Sequence, residues 1–151
     1  MKKAIPILLL LVILIITFIG YINVKTERDI LQRNIDQIFQ FNFSELNANI
    51  MTIALNPNMS EKELSFFNDK VTKCGNIANT LFYMTSYREN RDLDLIVGLL
   101  DQSSGNDALN SLNMTEELNR KLTEIMSYDF SNEELIKETL DLLEKNIVKN
   151  K

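Results

Sequence analysis

Between Ala4 and Val24 the chain has no charged side chain, a run of 21 positions of which 15 are Leu, Ile, Val or Phe. A helix that is apolar on every side must be covered by something other than water, which limits it to lipid or to the interior of a large protein. At about 1.5 Å rise per residue the run covers roughly 31 Å, close to the thickness of a hydrocarbon core of about 30 Å. Its large apolar side chains contribute on the order of −4 to −9 kcal/mol of insertion free energy. Pro6 falls in the first turn, where proline costs little, and Tyr21 and Asn23 fall at the outer end, where ring and amide reach headgroups. Residues 1–24 are therefore read as an uncleaved signal-anchor, a single transmembrane helix meeting the bilayer through residues 4–24. The alternative is a cleaved secretory signal. Against it, the apolar core exceeds the usual stretch of about 7 to 15 residues, and the exit Ile19-Gly20-Tyr21-Ile22-Asn23-Val24-Lys25 has no Ala-x-Ala-like pair.

Orientation follows from the flanks. Lys2 and Lys3 precede the run, and Lys25, Arg28 and Arg33 follow it. A short charged tail is hard to translocate, whereas a long polar domain crosses largely regardless of its charge. The expectation is a single-pass protein with its N-terminus inside and residues 25–151 extracytoplasmic.

That second region holds 14 Lys plus Arg against 21 Asp plus Glu once Lys2 and Lys3 are set aside, a net charge of −7. It repels phosphate backbones, so no nucleic-acid partner is expected, and it repels anionic lipid beyond the anchor. The chain has no His, no Trp and one Cys, so an internal disulfide and any His-based metal or proton-transfer site are excluded within it. Abundant Asn, Lys, Ile and Glu with scarce Gly and Pro suit long helices, and resemble the bias of AT-rich bacterial genomes.

Helical periodicity runs throughout, and the fold class expected is all-α. Leu31, Ile35, Phe39, Phe43, Leu46, Ile50 and Ile53 recur at steps of three or four, with Ile38 widening the stripe, and Asn56-Pro57-Asn58 ends it. Ser60 and Glu63 have capping-box spacing, with Met59 before the cap. Leu64, Phe67, Val71, Cys74, Ala78 and Leu81 then follow as a heptad seam, as in a coiled coil, with Ile77, Phe82 and Met84 beside it. The short turn predicts a long antiparallel hairpin over 25–88, broken at Arg88-Glu89-Asn90. Shorter helices are expected over 91–148. Leu93, Ile96, Val97 and Leu100 mark the first, Asp101 to Asn106 a loop, Leu109 to Met126 the next with Thr115 as a cap, and Ser131 with Glu134 a capping box opening the last, whose face is Ile136, Leu140, Leu143 and Ile147.

Cys74-Gly75 sits on the second stripe, where a mid-helix glycine costs about 1 kcal/mol unless another backbone approaches it closely. The thiol is expected in the core, the alternative being a disulfide to another copy. Asp92, Asp94, Asp101 and Asp107 are the one acidic grouping near a loop. Counting from Asp101, however, Asn106 stands where an EF-hand needs Gly and Leu112 where it needs Glu. Glu116 and Glu117 are adjacent, pointing about 100° apart on a helix, which does not suit paired acid-base work. Asn42, Asn58 and Asn113 head Asn-x-Ser/Thr triplets, acceptors only in a eukaryotic secretory route. No P-loop or dinucleotide glycine pattern occurs.

No catalytic, cofactor-binding or metal-ligating residue is assigned, and no cofactor is expected. The architecture resembles that of bacterial envelope proteins such as division-site coiled-coil proteins and helical sensor ectodomains, by plan and not by motif. Pro57 departs from the first and the lack of a second span from the other. The function expected is non-enzymatic protein contact at the cell envelope, as scaffold, accessory or immunity-like protein, with another envelope protein or a second copy as partner. The alternative is a ligand-binding or sensing module, which an internal cavity lined by Phe, Met and Tyr would favour.

Overall fold

A computed structural model describes residues 4–102, 114–128 and 130–147, with side chains from Leu11 onward. Five helices occur among the described residues: α1 (Ala4–Leu55), α2 (Glu61–Phe82), α3 (Arg91–Gln102), α4 (Glu116–Ser127) and α5 (Glu133–Asn146), with no strand. The chain divides into two compact units, Met1–Asn34 and Ile35–Lys151.

In the first unit every described side chain from Leu11 to Val24 is exposed, the large apolar ones by 45 % at Ile22 to 66 % at Tyr21 and Val24. The hydroxyls of Thr17 and Thr26 donate to the carbonyls of Ile13 and Ile22, at 2.8 and 2.9 Å, so neither needs water. Among the described residues no helix is long and apolar enough to cross a membrane. The part of the uncharged run whose side chains are described, Leu11 to Val24, covers about 21 Å at 1.5 Å per residue, short of a core of about 30 Å. Side chains of residues 4–10, which complete the run, lie outside the described residues.

The second unit is a helical bundle. Its core is laid down by Phe39, Phe43, Leu46 and Ile50, all fully buried and spaced as the sequence predicts. Leu31 and Ile38 are exposed instead, at 61 % and 50 %. The later part of α1 runs antiparallel to α2, because partners descend in α2 as they ascend in α1. Asp36 meets Ser86, Phe39 meets Phe82, and Leu55 shares a cavity with Phe67.

The most buried line of α2 is Asn68, Val71, Gly75, Ala78 and Phe82, not the expected heptad seam. Leu64 is exposed by 37 %, and Phe67, Cys74 and Leu81 are half-buried. The reason is a further neighbour: α3 also packs on α2, and the line facing its neighbours is the one that hides. A Cβ on Gly75 would lie 2.5 Å from Oδ1 and 3.3 Å from Cα of Asp101, so the glycine admits the last turn of α3. Asn79 fixes that approach by donating to Asp101 Oδ2 at 3.0 Å. Asp101 and Gln102 therefore belong to α3 and not to a loop; residues 103–106 of the expected loop and Leu109 and Leu112 lie outside the described residues. Helix α2 also ends earlier than the hairpin boundary at 88, with Tyr83 as its C-cap, and Ile77 and Met84 are exposed rather than core.

Leu93, Ile96, Val97 and Leu100 are fully buried, and α3 packs on α5 as well as α2. Thr115 caps α4 as expected, its hydroxyl accepting from Leu118 N at 3.1 Å. The last helix starts one residue later than its apparent capping box. Ser131 donates its hydroxyl to Tyr128 O at 2.6 Å, and Asn132 takes the cap by accepting from Leu135 N at 3.1 Å. Phe130 sets this register: it holds a left-handed φ of 52° while its ring is 97 % buried. Such backbone costs about 1–3 kcal/mol, offset by burial of the ring. Helices α4 and α5 are further joined by the Lys121–Glu138 ion pair.

The cap assignment predicts that Asn132→Ala lowers stability by about 1 kcal/mol, and Ser131→Ala by less, in denaturant melts of the full chain in detergent. Gly75→Ala should destabilise by about 1 kcal/mol, because overpacking outweighs the gain in helix propensity. Adding Asp101→Ala should recover part of the loss.

Candidate hairpin-tip site

At the turn between α1 and α2 lies a cavity of about 510 Å³ that is open to solvent. Local chemistry forms it. Pro57 stops α1, and the Ser60 hydroxyl accepts from Glu63 N at 3.3 Å while Ser60 N donates to Glu63 Oε2 at 3.0 Å, so α2 starts at once with a reciprocal cap. Leu55, Pro57, Met59 and Phe67 supply apolar lining. The polar lining is committed to the backbone and cap. Thr52 donates to Ala48 O at 2.8 Å, Asn56 donates to Thr52 O at 2.7 Å, and Glu63 holds the cap. Asn58 also lines it.

From the cavity an outward line of α2 runs away: Lys62, Phe66, Lys70, Lys73, Ile77 and Thr80, at steps of four or three. All are exposed except Lys70, which is half-buried with its Nζ 4.7 Å from the Phe66 ring centre and 5.9 Å from that of Phe67. These two rings are themselves in edge contact at 5.4 Å, so cavity wall and outward line are physically continuous. Asp69, Glu63 and, across on α1, Glu45 are the neighbouring anions. Cys74 feels both Glu45 and Lys70, but burial is what mainly raises its pKa, with Glu45 adding to the rise and Lys70 opposing it. The thiol is half-buried beside α1.

The other singled-out residues do not converge. Asp94 accepts a hydrogen bond from the Tyr83 hydroxyl, which together with its charge holds that phenol above its ordinary value. Asp92 shares the first turn of α3, Asp101 is tied to Asn79, and Asp107 lies outside the described residues. Glu116 and Glu117 are exposed in the first turn of α4. Asn42 is buried and donates to Ile38 O at 2.8 Å, which removes it as a glycan acceptor; Asn58 is exposed at the tip, and Asn113 is not described. Among the described residues no group of three or more Cys, Asp or Glu could hold a metal ion. Compared with known protein families, curated proteins and solved structures, the chain has no match.

The outward line is hidden among the apolar positions of α2, where Ile77 reads as widening of the core. Its signal is lysine recurring with them at helical steps in an otherwise acidic region.

The Glu63 carboxyl lies below its ordinary pKa, chiefly because the Ser60 hydroxyl hydrogen-bonds to it and secondly because the Ser60 amide does. A lowered folded-state pKa adds stability that is complete above the unfolded value and is lost as pH falls through the folded one. The stability difference between the native chain and Glu63→Gln should therefore shrink on acidification below the usual carboxylate range, as read from melts across pH.

Proposed function

We propose that the chain is a membrane-tethered, non-enzymatic helical module working by protein contact at the cell envelope. Residues 4–24 hold it in the bilayer, and the bundle is extracytoplasmic, in the role of scaffold, accessory or immunity-like protein. What carries the reading is the exposure of every described side chain of the apolar run, from Leu11 to Val24, on all sides of α1. At about 25 cal/mol per Å² such a surface is costly to leave in water, and lipid covers it without a specific partner. The hydroxyl of Thr17, its one threonine, bonds to the helix itself, as a lipid setting requires.

Contact is preferred to ligand sensing because of where the cavity lies and how it is lined. It opens at the hairpin tip and not within the core, and most of its polar groups serve the helix ends. A small-molecule site needs polar groups convergent on the ligand.

Alkaline carbonate extraction and a reporter fused after Lys151 test the tether. Retention in the membrane pellet at full length, with a periplasm-active reporter, is expected. Release into the soluble fraction, a product shortened near residue 24 or a cytoplasm-only signal would overturn the reading.

A further inference from the structure

We propose that the chain forms a parallel homodimer through one line of α1, Thr17, Gly20, Val24, Glu27, Leu31 and Asn34, in which Glu27 of each copy pairs with Arg28 of the other. The inference rests on the tether proposed above and names a second copy of the chain as a partner.

The line lies within the first unit. Its steps are 3, 4, 3, 4 and 3, the spacing that keeps one seam facing a neighbouring helix. All six residues are exposed, Val24 by 66 % and Leu31 by 61 %. Lipid covers the line as far as Val24, where the uncharged run ends, but Leu31 and Asn34 lie about 10 and 15 Å further along the helix. Gly20 stands where a Cβ would meet no atom within 4 Å. Nothing in the described chain requires a glycine there, although one in a helix interior costs about 1 kcal/mol in water. Between two membrane helices a small residue lets the backbones approach closely. Thr17, one turn earlier, is small as well, and its hydroxyl is already satisfied by Ile13 O.

Charge names the partner. Opposite charges three or four positions apart pair along a helix, and Lys25, Asp29 and Arg33 are spaced that way. Glu27 and Arg28 are not. Three and four positions from Glu27 stand Asn23, Val24, Ile30 and Leu31, and from Arg28 stand Val24, Lys25, Leu31 and Gln32, so neither has an opposite charge in reach on its own helix. Neither belongs to an ion pair of the described residues. In a parallel pair each seam side chain inserts among four residues of the facing helix, which sets Glu27 beside Arg28 of the other copy. Anchors inserted in one direction hold two copies parallel and at equal depth, and two-fold symmetry then supplies the pair twice. Both pairs form about 5 Å beyond the uncharged run, where a lowered dielectric strengthens them. Asn34 meets its own counterpart two turns further on, a polar seam contact that fixes register.

Sedimentation equilibrium of the full chain in density-matched dodecylphosphocholine micelles reads the dissociation constant. A monomer–dimer equilibrium is expected, about tenfold weaker for Glu27→Arg, for Arg28→Glu and for Gly20→Leu. The swapped variant Glu27→Arg/Arg28→Glu should return to within about threefold of the native constant, because the pair is restored with its signs exchanged. In phosphatidylcholine vesicles, oxidation of the full chain carrying Cys74→Ala should give disulfide-linked dimers with Val24→Cys or Leu31→Cys, and none with Ile22→Cys or Asp29→Cys on the opposite side of the helix. A monomer under all conditions, a swapped variant as weak as either single one, or equal cross-linking on both sides overturns the dimer and leaves the tether standing. Failure of the chain to float with the vesicles overturns the tether, and the dimer with it.

Discussion

The bundle depends on Phe39. Its ring lies 5.4 to 6.0 Å from those of Phe43 on its own helix, Phe82 at the end of α2, Tyr87 in the following turn and Phe130 between α4 and α5. Tyr87 and Phe130 close the group at 5.1 Å. Aromatic pairs at such spacing are worth about 0.5–1.5 kcal/mol each beyond their burial, and truncating a buried Phe costs about 3–5 kcal/mol. Against a total stability of about 5–15 kcal/mol, one side chain holds a large share. Phe130 adopts its left-handed φ of 52° with its ring 5.4 Å from both Phe39 and Phe43.

Polar contacts around that centre set register more than they add energy. Gln40 donates to the Tyr87 hydroxyl at 2.8 Å, Asp36 takes the amide and hydroxyl of Ser86, and Asn47 reaches Asn119 at 3.0 Å, joining α1 to the later helices. Each net contribution is about 1 kcal/mol, but a slip along α1 would leave buried amides unpaired at a greater cost. The bundle thus spends its apolar residues inward, while the apolar residues of the first unit face outward. The described side chains from Leu11 to Val24 are exposed, whereas the core of the second unit hides its own apolar residues.

Much of this was legible residue by residue. The stripe from Phe39 to Ile50, the stop at Pro57, the reciprocal cap of Ser60 and Glu63, the buried face of α3 and the Thr115 cap each rest on interactions within a few residues, where spacing and chemistry suffice. Gly75 was legible as a question and answered by Asp101. The misplaced features share a cause. Leu64 and Ile77 look like core in a helix with one neighbour, and α2 has two. Ser131 has ideal capping spacing, but a ring contributed by Phe130 turns the chain so that Asn132 arrives first. The tip cavity, built by residues from both helices, had no pattern of its own.

By itself the sequence determined the all-helical class, the exclusion of histidine chemistry, the uncharged N-terminal run and most helix ends, because charge, hydropathy period and capping act over one or two turns. Tertiary structure alone decided which side of α2 is hidden, where α5 begins, and that Asp101 meets Gly75. Those depend on which surfaces meet, and a helix carries no local record of how many neighbours it will have.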